Sequence, residues 1–187
     1  MIKRFFFGCA IFIALLFAAV ATGFYPVALV DGAPILFRTW RSAEKAAMQF
    51  ANARLKTAGQ KAIDFYASEN QALREEVKRN TLTFLIENKI FSQEGGKVAD
   101  RFYAISTQKV EDVLKGKNLE QGAKIVYGLD LDQFKKMVLL PQAWRDVLKE
   151  ALAAKKQTLE EWLKQIKQSK KIRLLFLPFH WNGESVE

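Results

Sequence analysis

The chain of 187 residues holds one cysteine, Cys9, and one histidine, His180. One cysteine excludes an internal disulfide and any zinc site built on paired cysteines. One histidine excludes multi-histidine metal sites. Four prolines and ten glycines are too few for a linker or a low-complexity tract. Half of the residues are apolar and 26% are charged, so bulk disorder is excluded as well. Two phosphate- and metal-type signals fall short. Gly95-Gly96-Lys97 lacks the upstream glycine of a phosphate loop and the Ser/Thr after its lysine. Asp130-Leu131-Asp132 lacks the glycine and distal glutamate of a calcium loop.

Charge is also missing from one long stretch. No residue from Phe5 to Val30 is charged, and Lys3 and Arg4 precede that run. As a helix, Phe5–Tyr25 spans about 30 Å, the thickness of a bilayer's hydrocarbon core. We read residues 1–25 as a signal-anchor or transmembrane segment. The alternative is a secretory signal cleaved at Ala21, after the small-x-small run Ala19-Val20-Ala21. Either way the two positive residues stay inside and the rest of the chain is exported. Cys9 precedes nearly all of the apolar run, which excludes it as a lipid-attachment site. The exported body has no cysteine, so an oxidising compartment leaves it unaffected.

The body, residues 26–187, is long enough for one genuine core. Its net charge contribution is spread along the chain. The one basic stretch, Lys155–Arg173, has seven basic and two acidic residues. Alone it would suggest nucleic acid. Export removes it from nucleic acid, and Trp162, Leu163 and Ile166 give it an ordinary buried face. We read it as a solvated helix face whose lysines can meet anionic lipid or acidic chains.

Local signals outline a mostly α-helical fold. Val27–Val30 is a strand, Asp31-Gly32 a hairpin turn, and Ala33–Phe37 a second strand that Pro34 confines to an edge. Helices are expected over Thr39–Thr57, stopped by Gly59, and Lys61–Gln93, stopped by Gly95-Gly96. In the second of these, Leu73, Val77, Phe84, Ile90 and Phe91 mark the core face, widened by Leu82, Leu85 and Ile86. Further helices are expected over Thr107–Leu114 (capped by Ser106), Leu119–Tyr127, Leu131–Leu139, Gln142–Lys155 and Leu159–Ser169. Asp130/Gln133 and Thr158/Glu161 have capping-box spacing, and Pro141 suits a helix start. Ile172–Leu177 is strand-like and is the only partner available to Val27–Val30. The two ends of the body are therefore expected to pair as a small β element on a multi-helix domain.

The order of these pieces resembles the N-terminal chaperone domain of SurA and of the related envelope foldases PpiD and PrsA. Val30-Asp31-Gly32-Ala33-Pro34-Ile35 is similar to that group's strand and Asn/Asp-Gly-x-Pro-Ile turn. Phe84-Leu85-Ile86-Glu87-Asn88-Lys89-Ile90-Phe91 is similar to its helical block, with Ile105-Ser106 through Val110 and Tyr127-Gly128-Leu129 with Phe134 following. The likeness covers most of Val27–Ala154. The alanine-rich insert Ser42–Tyr66 departs from it, and the parvulin prolyl-isomerase domain has no counterpart. The resemblance implies a chaperone module alone, without catalysis. It would bind unfolded client polypeptides outside the cytoplasm, without ATP or any other cofactor, and would sit at the cell membrane through residues 5–25.

Residue chemistry agrees with a non-enzyme. His180, between Phe179 and Trp181, has no serine motif or cysteine nucleophile to serve. The adjacent acids Glu75-Glu76, Glu111-Asp112 and Glu160-Glu161 point to different helix faces. A client-binding surface would need exposed aromatics bordered by lysines. Phe37, Trp40, Phe134, Trp144, Phe179 and Trp181 lie outside the strongest helical stripes and are the candidates. Catalytic and metal-ligating residues are not expected. The alternative function is a non-catalytic scaffold that binds one folded envelope partner through the same aromatics.

Overall fold

The computed structural model describes residues 20–187. Among these residues no helix is long and apolar enough to cross a membrane. The segment expected to do so, Phe5–Tyr25, lies outside the described residues up to residue 19.

The chain builds a mostly helical body on a three-stranded sheet. Strands β1 (Pro26–Val30) and β2 (Ala33–Leu36) form a hairpin, and β3 (Ile172–Leu174) pairs with the other side of β1. Both pairings are antiparallel: Val30 faces Ala33 across the hairpin, and Ala28 faces Leu174 across the closing pair. The ends of the body thus meet in one sheet, as the strand-like sequences at each end predict. Asp31 and Gly32 both have positive φ, 49° and 81°. That is the two-residue turn that Asp-Gly favours, because its twist matches the strands. Pro34 sits on the edge strand β2, where its missing N–H costs no ladder bond. The closing strand stops at Leu174 rather than Leu177.

Helix α1 (Phe37–Thr57) begins two residues earlier than its sequence predicts. No side chain caps it. Instead the N–H groups of Phe37 and Arg38 donate to the carbonyls of Tyr25 and Gly23 at 2.9 and 3.1 Å. Gly23 has φ 70°, and a Cβ there would lie 3.2 Å from the Phe37 ring. Glycine is what lets the incoming chain close over the helix start.

Helix α2 (Gln71–Val98) is displaced from its expected range at both ends. It was expected to begin near Lys61. Residues 60–67 are irregular because side chains take over their backbone groups. Asn52 donates to the carbonyl of Ile63 and accepts from its N–H, at 3.0 and 2.8 Å. The Asp64 carboxylate accepts from the N–H of Tyr66, and Phe65 is buried. Such local bonds compete with helix formation. At the other end α2 runs straight through Gly95-Gly96. A Cβ on Gly95 would stand 2.3 Å from the ring of Phe102, so this glycine lets α3 pack against α2 and does not stop a helix.

Helix α3 (Phe102–Leu114) starts after Arg101, which has φ 56°. Ser106, expected as its cap, is one turn inside and fully buried. Helix α4 (Leu119–Tyr127) ends at Gly128, with φ 69°. The side chain of Gln49 donates to the carbonyls of Lys124 and Ile125, completing that end from α1. Helix α5 (Leu131–Phe134) opens with the expected Asp130/Gln133 capping box, and α7 (Leu159–Ser169) with the expected Thr158/Glu161 box.

The sequence predicts a helix over Leu131–Leu139 and a break before Gln142, but the chain runs on without one into helix α6 (Leu140–Ala154). The chain continues through one wide π turn, Lys135–Leu139, directly ahead of Pro141. Proline has no N–H and its ring pushes on the preceding turn, and a widened turn relieves that clash.

The core lies between α2, α6, α7 and the sheet. Leu82, Ile86 and Ile90 of α2, four residues apart, are fully buried with Phe91, Phe102, Val27, Val30 and Leu148. Within the stripe expected for α2, Leu73, Val77 and Phe84 are only half-buried.

Lys170 closes the structure. It reaches Asp31 at 2.6 Å and Glu94 at 2.5 Å, linking the hairpin turn, the end of α2 and the chain after α7. Asp31 also accepts from the N–H of Lys171. The Lys170 ammonium, with help from that N–H, holds the Asp31 carboxyl below its ordinary range. Burial works against ionised Glu94, but hydrogen bonds from Lys170 and Lys97 outweigh it and lower its pKa. Burial likewise opposes the charge on Lys170, and its two carboxylate partners still raise its pKa.

Two predictions follow from this packing. Gly95→Ala overpacks the α2–α3 contact and costs about 1–3 kcal/mol, whereas Gly96→Ala, whose Cβ meets nothing closer than 3.6 Å, adds about 0.5–1 kcal/mol. Urea midpoints of the two variants move in opposite directions. The clamp sets a pH window. Lowered carboxyl values give stability that is present at neutral pH and is lost as pH falls through them; the raised lysine gives stability lost only at strongly alkaline pH. Lys170→Met costs about 1–3 kcal/mol at neutral pH and flattens the acid limb of the stability profile, measured by urea unfolding from neutral to acid pH.

Candidate functional site

Alanines in α1 leave a space that larger side chains would have filled. Ala43, Ala46, Ala47 and Phe50 recur at three- and four-residue steps, so they share one face of the helix. That face does not close onto its neighbours. It forms one wall of an open apolar groove of about 490 Å³. Helix α2 supplies Asn80, Thr81 and Phe84 to a second wall. The third is made by Tyr127, Leu129 and the run Met137-Val138-Leu139-Pro141. The wide π turn therefore contributes directly to the lining.

The groove is held open by contacts at its edges. Phe50 and Tyr127 stack with ring centres 5.0 Å apart, and Phe134 backs Tyr127 at 5.3 Å. Ser42 donates to the Met137 sulfur at 3.8 Å. Deeper in, Glu44 of α1 is fully buried, bonded to Arg41 at 2.6 Å with the Arg74 guanidinium 3.9 Å away. That ion cluster ties α1 to α2.

Little in the lining is reactive. Its one charged group is Arg145, which is bonded to Glu87 at 2.7 Å and has the Phe91 ring 5.0 Å from its guanidinium. Glu87 also holds Lys167 at 2.6 Å, so one carboxylate is shared between the two cations. Asn80 and Gln142 are exposed at the rim, where amides can bond to a bound chain's backbone. The volume lies in the range of pockets that take several apolar side chains. Among the described residues no three His, Cys, Asp or Glu side chains gather as a metal site. The arrangement can bind apolar groups and hold an extended backbone.

The six aromatics singled out from sequence do not converge on this groove. Phe37, Trp40 and Phe179 lie together: Phe37 stacks on Tyr25 at 4.9 Å, and Trp40 meets Phe37 and Phe179 edge-on at 5.9 and 6.4 Å. Trp40 is 4% exposed, and its indole N–H donates to the Lys78 carbonyl. Phe134 is 9% exposed and supports the groove from behind. Trp144 stacks against Phe102 at 6.3 Å. Trp181 is half-buried, with Lys167 5.9 Å from its ring. His180 is exposed beside Glu187, 3.4 Å away. The groove residues that sequence reading passed over are the alanines of α1 and Met137–Leu139. The signal for the alanines was the Ala-rich composition of Ser42–Tyr66. The local signal for the π turn was Pro141, which reads from sequence as a helix start.

No family model matches the chain, and neither the curated proteins nor the solved structures yield a match to it.

A groove of this kind has a direct optical test. An apolar dye such as 1-N-phenylnaphthylamine is expected to brighten on binding the folded protein. Ala47→Phe fills the groove from its half-exposed wall, so the dye signal drops several-fold while the far-ultraviolet circular dichroism is unchanged. An undiminished signal from the folded variant places the dye elsewhere.

Proposed function

We propose that this protein is an ATP-independent, non-catalytic chaperone that receives unfolded polypeptide segments in the groove between α1, α2 and the α5–α6 run. The observation that carries the reading is the groove itself: open, apolar, about 490 Å³ and lined by a single charged group that is already paired. Such a surface gains from burying apolar side chains of many sequences and provides no group for chemistry. Asn80 and Gln142 suit the backbone amides of an extended segment, which every sequence carries. Weak contacts of this type permit release without nucleotide.

The likeness to the SurA-type chaperone module supports the same reading. Its turn segment Val30–Ile35 spans the hairpin, its block Phe84–Phe91 lies in α2, and Tyr127-Gly128-Leu129 forms the turn at the groove's edge. We further propose that residues 5–25 hold the body at the membrane on its outer side, with cleavage at Ala21 as the alternative. Anchoring would raise the effective concentration of the groove near emerging chains.

The test is aggregation of two unrelated, chemically unfolded clients diluted into the full-length protein held in nanodiscs, followed by light scattering. Dose-dependent suppression for both clients is expected, weakened about tenfold in apparent affinity by Ala47→Phe, a loss of about 1.4 kcal/mol. Suppression of neither client by folded protein overturns the chaperone reading. It points instead to a scaffold that binds one folded envelope partner.

A further inference from the structure

The most exposed large apolar side chain of the body is Phe176, at 84%. Its backbone is left-handed, with φ 57°. A bulky residue rarely adopts that conformation, and here it follows directly from the sheet. The Leu175 N–H donates to the Val27 carbonyl at 2.8 Å, extending the β1–β3 pairing by one residue. Carrying the register on sets Phe176 level with Pro26, at the end of the sheet where the chain enters the body. Beyond it the chain folds back, so that Leu177 and Phe179 lie with Phe37 and Trp40 around one hollow that the ion pair Glu75–Lys78 also lines.

Two more exposed apolar residues precede that point of entry. Phe24 is 51% exposed and Val20 is 64% exposed. The Arg38 guanidinium lies 3.6 Å from the centre of the Phe24 ring. The sequence has no acidic residue from Met1 to Val30 or from Trp162 to Gly183. The exposed rings of Phe24 and Phe176 therefore stand in acid-free sequence, and the cation placed on Phe24 is Arg38 of α1. The uncharged run that starts at Phe5 passes through this place on its way to Val30 at the far end of β1. The incoming chain is also fixed to α1 through the bonds from Gly23 and Tyr25 to Arg38 and Phe37.

We infer that this end of the body is a membrane-contact surface: Phe176 and Phe24 seat in the interfacial layer of a bilayer, and Arg38 meets lipid phosphate. Aromatic rings favour that layer because one side of it is apolar and the other wet. Cations without neighbouring carboxylates favour its anionic headgroups. The occupant is a bilayer and not a client chain, because the apolar sequence that leads into β1 enters the body beside this surface, through residues 20–25. The inference rests on the anchor reading and adds to it an orientation. The groove begins at Ala43, six residues into α1 from Phe37, and reaches Phe50. At helical rise these lie roughly 9 and 20 Å from the helix start. A docked body would therefore hold its groove at a fixed height above the lipid.

The test places an environment-sensitive nitrobenzoxadiazole fluorophore at Phe176→Cys, with Ile125→Cys as comparison, both in a Cys9→Ser background. Ile125 is 62% exposed and lies on α4. The full-length protein is reconstituted in nanodiscs of phosphatidylcholine with a minor fraction of phosphatidylglycerol. Expected are blue-shifted emission at position 176, several-fold protection from aqueous iodide, and quenching by lipid carrying a headgroup nitroxide. The label at position 125 shows none of these. Equal iodide access at the two positions overturns the inference. So does protection at position 176 that appears only when an unfolded client is added. Phe176→Trp with brominated lipid repeats the measurement without a bulky label, and absence of added quenching there also overturns it. Alkaline carbonate extraction reports separately on the anchor. A chain released by carbonate overturns the anchor, whereas a retained chain with iodide-accessible position 176 overturns only the docking.

Discussion

One ammonium group joins the parts of this body that are farthest apart in sequence. Lys170 holds Asp31 of the hairpin turn and Glu94 near the end of α2. A two-stranded hairpin is marginal by itself. β1 becomes a central strand only because β3 returns from the other end of the chain. The clamp fixes that return: beside it the Asp31 N–H donates to the Lys171 carbonyl and the Lys171 N–H to the Asp31 carboxylate, and Gln93 donates to the Val30 carbonyl. Fully buried Val27 and Val30 then meet α2 and the helices behind it. The position of α1 follows in turn, since its first N–H groups bond to the carbonyls of Gly23 and Tyr25 just ahead of β1.

What the sequence made legible was local. The Asp-Gly turn, the two capping boxes and the glycine stops after α1 and α4 each act within a few residues, and each lies where its chemistry puts it. The pairing of the two ends was also legible, by elimination among few strand-like segments. What failed depended on partners distant in sequence. Gly95 reads as a stop until the Phe102 ring is known to occupy the space of its missing side chain. Residues 61–67 read as helix until Asn52, on another element, takes the backbone groups of Ile63. Ser106 has a cap's chemistry and an interior position, because the chain reverses earlier, at Arg101.

The candidate site was hidden for a related reason. Large aromatics attract attention in a sequence, and in this chain they mostly fill and brace: Trp40 is bonded into place, Phe134 supports Tyr127, and Trp144 stacks on Phe102. The groove comes from the opposite property. Its α1 wall is built of alanines, which bury little and fill little. An alanine-rich helix face is read as weakly amphipathic packing, and only the placement of its neighbours decides whether the face is covered or left open.

Pro141 keeps it open. A regular helix from Leu131 to Ala154 would have to bond through a residue with no N–H. The chain widens into the π turn instead. That change of pitch carries Met137, Val138 and Leu139 to the groove, while Ala143, Val147 and Leu148 of the same continuous run stay in the core. One helical run thus serves two surfaces, and the proline is the residue that divides them. The polar groups follow the same division. Arg145 lines the groove, and Glu87 joins it to Lys167 on α7. The charged group nearest the apolar lining is thereby spent on holding helices together. What the groove offers a ligand is left to shape and apolar area.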